Sequence, residues 1–285
     1  MSRPINTIGI MSYVYLEHSA EEMAADIASR NISIVQADPR QKGLLDANGK
    51  YHSKRAKEVR KIFADQRISI PVLSGYMNLL DPILERREHN LTTMEEMIKL
   101  CPEFGAPYIA TETGSFHPEN QWRYHPENDT EKAWDALLAI IERLRKTAVD
   151  NGVTLLLEGY VTNVLNTPEK AERLINELGS EGLGFVMDPF NLMKLEDLDQ
   201  QEAALDKIFS AIIPFSPIAH AKDAIYTEKG LSTPCAGTGK AKWDQYALRL
   251  SKQAPAIPLF LEHLKPEEIE NCIKYIQKSY DFVSI

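Results

Sequence analysis

Short apolar runs recur roughly every 30–40 residues along the whole chain, each followed by a stretch patterned as an amphipathic helix. The runs are Thr7–Tyr15, Ser33–Asp38, Ser69–Tyr76, Tyr108–Gly114, Thr154–Glu158, Gly184–Asp188, Ile218–Asp223 and Pro258–Glu262. Strands this short and this continuously apolar belong to a parallel sheet whose outer face is covered by helices. Eight such units in 285 residues predict an α/β fold, a single (β/α)8 TIM barrel spanning 1–285. A doubly wound open sheet would carry a Gly-rich turn after its first strand. Here that turn reads YVYLEHS, without glycine.

The helices are bounded by ordinary stop and start signals. SAEE at Ser19 has the form of a capping box, a basic helix fills Ser53–Gln66, and Met94, Met97, Ile98 and Cys101 share a face within Glu88–Phe104. The clearest helix is Asp129–Asn151, capped by Asp129 or Thr130. Others start at Thr167–Pro168, Gln201, Trp243 and Pro266.

The functional signal lies at strand ends. In a barrel the reactive side chains sit at the C-terminal ends of the strands. The fifth to eighth runs end in or carry Glu158, Asp188, His220 and Glu262. A carboxylate at the end of a buried strand is costly unless something there needs it. Taken singly, each has a plain explanation as a cap or a core polar group. Together, one strand apart, they form a nitrogen and oxygen set suited to one divalent ion. An ion bound to a carbonyl and its neighbouring hydroxyl acidifies the C–H between them, and a carboxylate on each side can move the proton. Glu158 and Glu262 are the candidates for that catalytic pair. Lys222 lies two residues beyond His220 and faces the same side, toward substrate or a neighbouring carboxylate. Glu112 ends the fourth strand. Trp122 lies in the long loop Ser115–Asp129, which is expected to overhang the barrel mouth. His263 follows Glu262 and by strand alternation is expected to point away, toward the helices. Gly237 and Gly239 in CAGTGK offer backbone amides to a phosphate or simply make a turn.

The ordered segments LEGY, MDPFN, HAKD, GTGKAKWD and LFLEH resemble those of the xylose-isomerase-like TIM-barrel sugar phosphate isomerase/epimerase superfamily. The resemblance implies one divalent ion per chain, Mn, Mg, Co or Zn, held by Glu158, Asp188, His220 and Glu262, with the two glutamates doubling as acid and base. It implies a small carbohydrate substrate and a homodimer or homotetramer. Two positions depart from the ketose epimerases of that superfamily: Asn191 stands where they place a His, and Tyr226 where they often carry an Arg. Asn191 remains able to bind a substrate hydroxyl. The expected activity is isomerisation or epimerisation. The alternative is a dehydratase acting on an inosose- or dehydroshikimate-like compound. An endonuclease IV-like nuclease needs additional His ligands on the third, fourth and sixth strands, which here read SGYMN, ATETG and DPFN. A non-catalytic binding barrel would have no use for both glutamates.

Composition narrows the remainder. A net charge of −9 with dispersed Lys and Arg disfavours a nucleic-acid partner. The sequence has neither a signal-peptide pattern nor an apolar run long enough to span a bilayer, so no membrane partner and a cytoplasmic location are expected. Cys101, Cys235 and Cys272 share no metal-ligand spacing and read as reduced thiols.

Overall fold

Alternation of short strands and helices closes the chain into a ring. A computed structural model describes residues 6–282. The strands are β1 (Ile8–Met11), β2 (Ile34–Ala37), β3 (Ser69–Ser74), β4 (Tyr108–Glu112), β5 (Thr154–Glu158), β6 (Leu183–Met187), β7 (Ile218–Ala221), β8 (Ile225–Thr227), β9 (Gly230–Ser232) and β10 (Leu259–Leu261). Eight of them form a closed barrel in the order β1-β10-β7-β6-β5-β4-β3-β2, every pairing parallel. The remaining two, β8 and β9, make a small antiparallel hairpin after β7. The sequence alone gave no sign of it.

Helices α1 (Ala20–Ser29), α2 (Ser53–Asp65), α3 (Leu84–Phe104), α4 (Glu131–Asp150), α5 (Pro168–Leu178), α6 (Gln201–Ile212), α7 (Trp243–Gln253) and α8 (Ile269–Phe282) cover the ring. Ser19 accepts from the Glu22 amide while Glu22 returns a bond to the Ser19 amide, so the capping box forms as read. Thr130, rather than Asp129, caps α4, its hydroxyl accepting from the Ala133 amide at 3.2 Å. The buried face of α4 runs through Ala133, Trp134, Leu137, Ile141, Leu144 and Ala148, the 3–4 spacing of one helical stripe.

Two levels of side chains fill the barrel interior, and they explain where the site comes from. Met11, Val72, Ala110, Leu156, Val186, Ile218 and Phe260, from seven strands, pack into one apolar cluster. Gly9 makes room for Phe260: a Cβ at Gly9 would lie 2.6 Å from the ring. Strand side chains repeat with period two, so the residue two positions on points the same way, one level nearer the C-terminal mouth. Those residues are Ser74, Glu112, Glu158, Asp188, His220 and Glu262, every one of them buried. The apolar level is the floor of a polar ring.

The first strand ends at Met11, earlier than its sequence suggests. Ser12–Tyr15 turn into a 3-10 helix, and the Ser12 hydroxyl accepts the amide of Asp38 at 3.0 Å. This turn brings Tyr13 over the mouth of the barrel.

Candidate functional site

Glu158, Asp188, His220 and Glu262 converge, each offering a ligand atom within 4.8 Å of the others. His220 Nδ1 lies 3.4 Å from Glu158 Oε2, 3.4 Å from Glu262 Oε1 and 3.7 Å from Asp188 Oδ2. Three of these buried atoms, Asp188 Oδ2, His220 Nδ1 and Glu262 Oε1, have no hydrogen-bond partner. Buried polar atoms without a hydrogen bond are rare, and several facing one another suit a bound cation. The Lys222 ammonium borders the same group, 2.6 Å from Asp188 Oδ2, 2.9 Å from Glu262 Oε1 and 3.5 Å from Glu158 Oε1. The two shorter contacts are ion pairs whose angles do not make hydrogen bonds.

Charge counting supports a divalent ion here. Three carboxylates carry −3 and Lys222 carries +1, so a neutral His220 and a dication bring the buried set to zero. Without the dication, His220 must supply positive charge itself. Burial opposes its protonation, but Glu158 and Glu262 prevail and hold the imidazole well above its ordinary value of 6.5. Burial likewise opposes ionisation of Glu158, yet His220 and Lys222 bring it down to about 2. Lys222 and His220 bring Glu262 well below its ordinary value against the same cost. Asp188 goes the other way, to about 6, because desolvation outweighs its contact with Lys222.

A pH dependence follows. His220 must lose its proton before Nδ1 can ligate, and that proton is held above 6.5. Metal affinity is therefore expected to rise with pH below and through 6.5, roughly tenfold per unit where one proton is released. Calorimetric titration of Mn2+ in two buffers of different ionisation enthalpy measures that release. An affinity flat across this range would contradict the assignment of His220.

Gln36 is the partner that the sequence did not reveal. Its side-chain oxygen lies 3.0 Å from His220 Nε2, and its amide nitrogen donates to Ser74 Oγ at 3.1 Å. A donor proton on Nε2 leaves the Nδ1 lone pair facing the carboxylates, the usual way an outer partner orients a ligating imidazole. Gln36→Leu is expected to weaken metal affinity about 10- to 100-fold with little effect on folding, measurable by the same titration.

The polar ring opens into a cavity of about 460 Å3. Glu112, Trp122, Glu158, Asn191, Lys222 and Glu262 all line it. Trp122 Nε1 donates to Glu112 Oε2 at 2.9 Å, and burial together with the Glu158 charge pushes Glu112 up to about 8. Asn191 Nδ2 donates to Glu158 Oε1 at 2.5 Å, and the Tyr76 hydroxyl donates to Glu158 Oε2. Tyr13 donates its hydroxyl to Glu262 Oε2 at 3.5 Å and accepts the His263 amide at 2.8 Å. Asp38 and Arg40 also line the cavity, joined by two side-chain hydrogen bonds of 2.9 and 2.8 Å.

One expectation is revised. His263 does not point toward the helices but lines the cavity. β10 ends at Leu261, and His263 takes a left-handed backbone, φ 55°, so the alternation rule no longer applies to it. The ring then donates Nδ1–H to the Thr233 carbonyl. Tyr226 turns its hydroxyl to the Met193 carbonyl at 3.0 Å and is not among the lining residues. The amide of Gly237 is already engaged by Asp223 Oδ2 at 2.9 Å.

Comparison with known proteins follows the same line. The sequence profile of the xylose isomerase-like TIM barrel family matches residues 21–278. No curated protein sequence matches. A D-tagatose 3-epimerase-like protein superposes with a TM-score of 0.74 at 16% identity, over 98% of both chains. A xylose isomerase-like TIM barrel protein from Mycobacterium smegmatis, in complex with magnesium, gives 0.68 at 18% identity, over 99% of this chain and 97% of that one. The 3-keto-D-glucoside 4-epimerase from E. coli gives 0.69 at 15% identity, over 96% and 99%. At such identities these likenesses concern the fold.

Proposed function

The chain belongs to the xylose isomerase-like TIM barrel family, and from that premise we propose that it is a divalent-metal-dependent isomerase or epimerase of a small carbohydrate. The observation that carries the reading is the convergence of Glu158, Asp188, His220 and Glu262, with three of their buried atoms making no hydrogen bond, at the base of one cavity. The magnesium in one structural relative and the epimerase activity named for another agree with it.

Glu158, Asp188, His220 and Glu262 would hold one ion, Mn, Mg, Co or Zn. When bound, that ion supplies Lewis-acid polarisation of a carbonyl and its adjacent hydroxyl. The chain's own residues do the rest. Glu262 Oε2 keeps only the long 3.5 Å bond from Tyr13, which leaves it lone pairs with which to take a C–H proton. Glu158 stands on the other side of His220, its oxygens held by Tyr76 and Asn191. If Glu262 returns the proton to the neighbouring carbon, an aldose and a ketose interconvert. If a solvent proton reaches the opposite face of the same carbon from the Glu158 side, while Glu262 gives its own proton to solvent, the product is the epimer. Lys222 keeps the carboxylates from repelling one another, and Trp122 covers Glu112 against water.

The test is elemental analysis of the purified protein followed by incubation with ketoses and inososes in deuterated water. About one ion per chain and metal-dependent C–H exchange are expected. A protein that binds no divalent ion and exchanges no substrate proton refutes the reading, and loss of water instead of exchange would move it to a dehydratase.

A further inference from the structure

The Gly-rich loop after the β8–β9 hairpin makes a turn, with Gly237 at φ 91°, and the amides it would offer a phosphate are already taken. Asp223, itself buried, accepts the backbone amides of Ala224 at 2.8 Å, Gly237 at 2.9 Å and Ala241 at 2.7 Å. Even the space beside Gly239 is taken, since a Cβ there would lie 2.4 Å from Asp223 Oδ1. Convergent amides of this kind bind anions. Here the chain supplies the anion from its own sequence.

The cavity wall offers no replacement. Its cationic side chains are Arg40 and Lys222, facing the carboxyl groups of Asp38, Glu112, Glu158 and Glu262. Lys222 is bound to Asp188 and Glu262, and Arg40 gives Nε and Nη2 to Asp38 and a further bond of 3.3 Å to the Tyr76 carbonyl. With a dication in place the buried cluster reaches neutrality and no more. A phosphate ester would bring a further charge of about −1.5 to −2 into this space. A neutral sugar suits it better. Arg40 Nη1 makes no hydrogen bond among the described residues, and the Asp38 carboxylate beside it is an acceptor, so the pair has both donor and acceptor capacity for a hydroxyl.

We propose that the substrate is an uncharged polyhydroxy ketone, bearing neither phosphate nor carboxylate, with the Asp38–Arg40 pair binding its hydroxyls. This rests on the isomerase or epimerase reading for the reaction but not for the binding. Discrimination comes from leaving an added anion unpaired, which costs on the order of 100-fold in affinity or more.

The experiment uses the Mn2+-loaded protein with the D-ketohexoses, an inosose, their monophosphates, the corresponding keto acids and inorganic phosphate. Two readouts are taken: deuterium exchange at C–H and the rise in Tm. Uncharged compounds are expected to exchange and to stabilise. Their charged counterparts are expected to fall behind by about 100-fold in kcat/KM and to leave Tm unmoved. Asp38→Asn, which releases the Arg40 charge, is expected to narrow that gap about tenfold. A phosphate ester or keto acid that matches its uncharged parent overturns the inference. So does stabilisation by inorganic phosphate, or by none of the uncharged compounds. A gap that Asp38→Asn leaves unchanged removes the role given to the pair. Stabilisation by uncharged compounds without exchange would retain this inference while removing the isomerase reading.

Discussion

Glu262→Gln is expected to lower metal-dependent C–H exchange by about 1,000-fold while the barrel stays folded. Glutamine keeps the shape and an oxygen for the ion, but Oε2 is replaced by a group unable to take a proton. Of the four proposed ligands, Glu262 is the one with an oxygen left over: Oε1 faces His220 and Lys222, whereas Oε2 meets only Tyr13 and, at 3.8 Å, His263. Glu158→Gln separates the two possible reactions. If the product is an isomer formed by a single shuttling base, exchange in Glu158→Gln should persist at a reduced rate. If the product is an epimer, one face should still exchange with solvent while net inversion stops. A Glu262→Gln protein exchanging within about fivefold of wild type would remove the base from this position.

Lys222→Met is expected to make the fold depend on metal. The ammonium is buried among Asp188, Glu262 and Glu158, and removing one member of a buried ionic group leaves the others uncompensated, at about 3–5 kcal/mol. That loss should appear in chelator as a lower urea midpoint. Added Mn2+ should restore more stability in the variant than in wild type, because there it meets three carboxylates that have lost the Lys222 charge. A ligand at 100 times its Kd contributes about 2.7 kcal/mol, so most of the loss is recoverable. Equal stabilisation of both proteins by Mn2+ would place the ion elsewhere.

The residues legible in the sequence were those whose chemistry contradicts their surroundings. Glu158, Asp188, His220 and Glu262 end apolar strands, where a charge stands out, and the regular spacing of the strands gives their order round the ring. Their partners were not legible, because nothing local distinguishes them. Gln36 in SIVQAD has the right period, but its contact with His220 spans 184 residues. Tyr13 and Tyr76 read as ordinary strand aromatics until a turn brings the first over the mouth and the second onto Glu158. His263 was misplaced because alternation assumes that the strand continues, and it ends at Leu261. The Gly-rich loop read as a turn or as a phosphate site, and it is the turn, with Gly237 at φ 91°. Its amides do bind a carboxylate, but the carboxylate belongs to Asp223, fourteen positions before Gly237.

The proposed ligands come from β5, β6, β7 and β10, which are consecutive around the ring, while β1 to β4 contribute only the groups that orient and cover them. The last ligand, Glu262, lies just beyond the strand that closes the barrel against β1. During synthesis three ligands therefore leave the ribosome well before the fourth, and a nascent chain has no complete coordination set until its eighth barrel strand is made. An ion held by all four would thus be a late guest, received once the circle is shut, and not the seed around which the early strands gather.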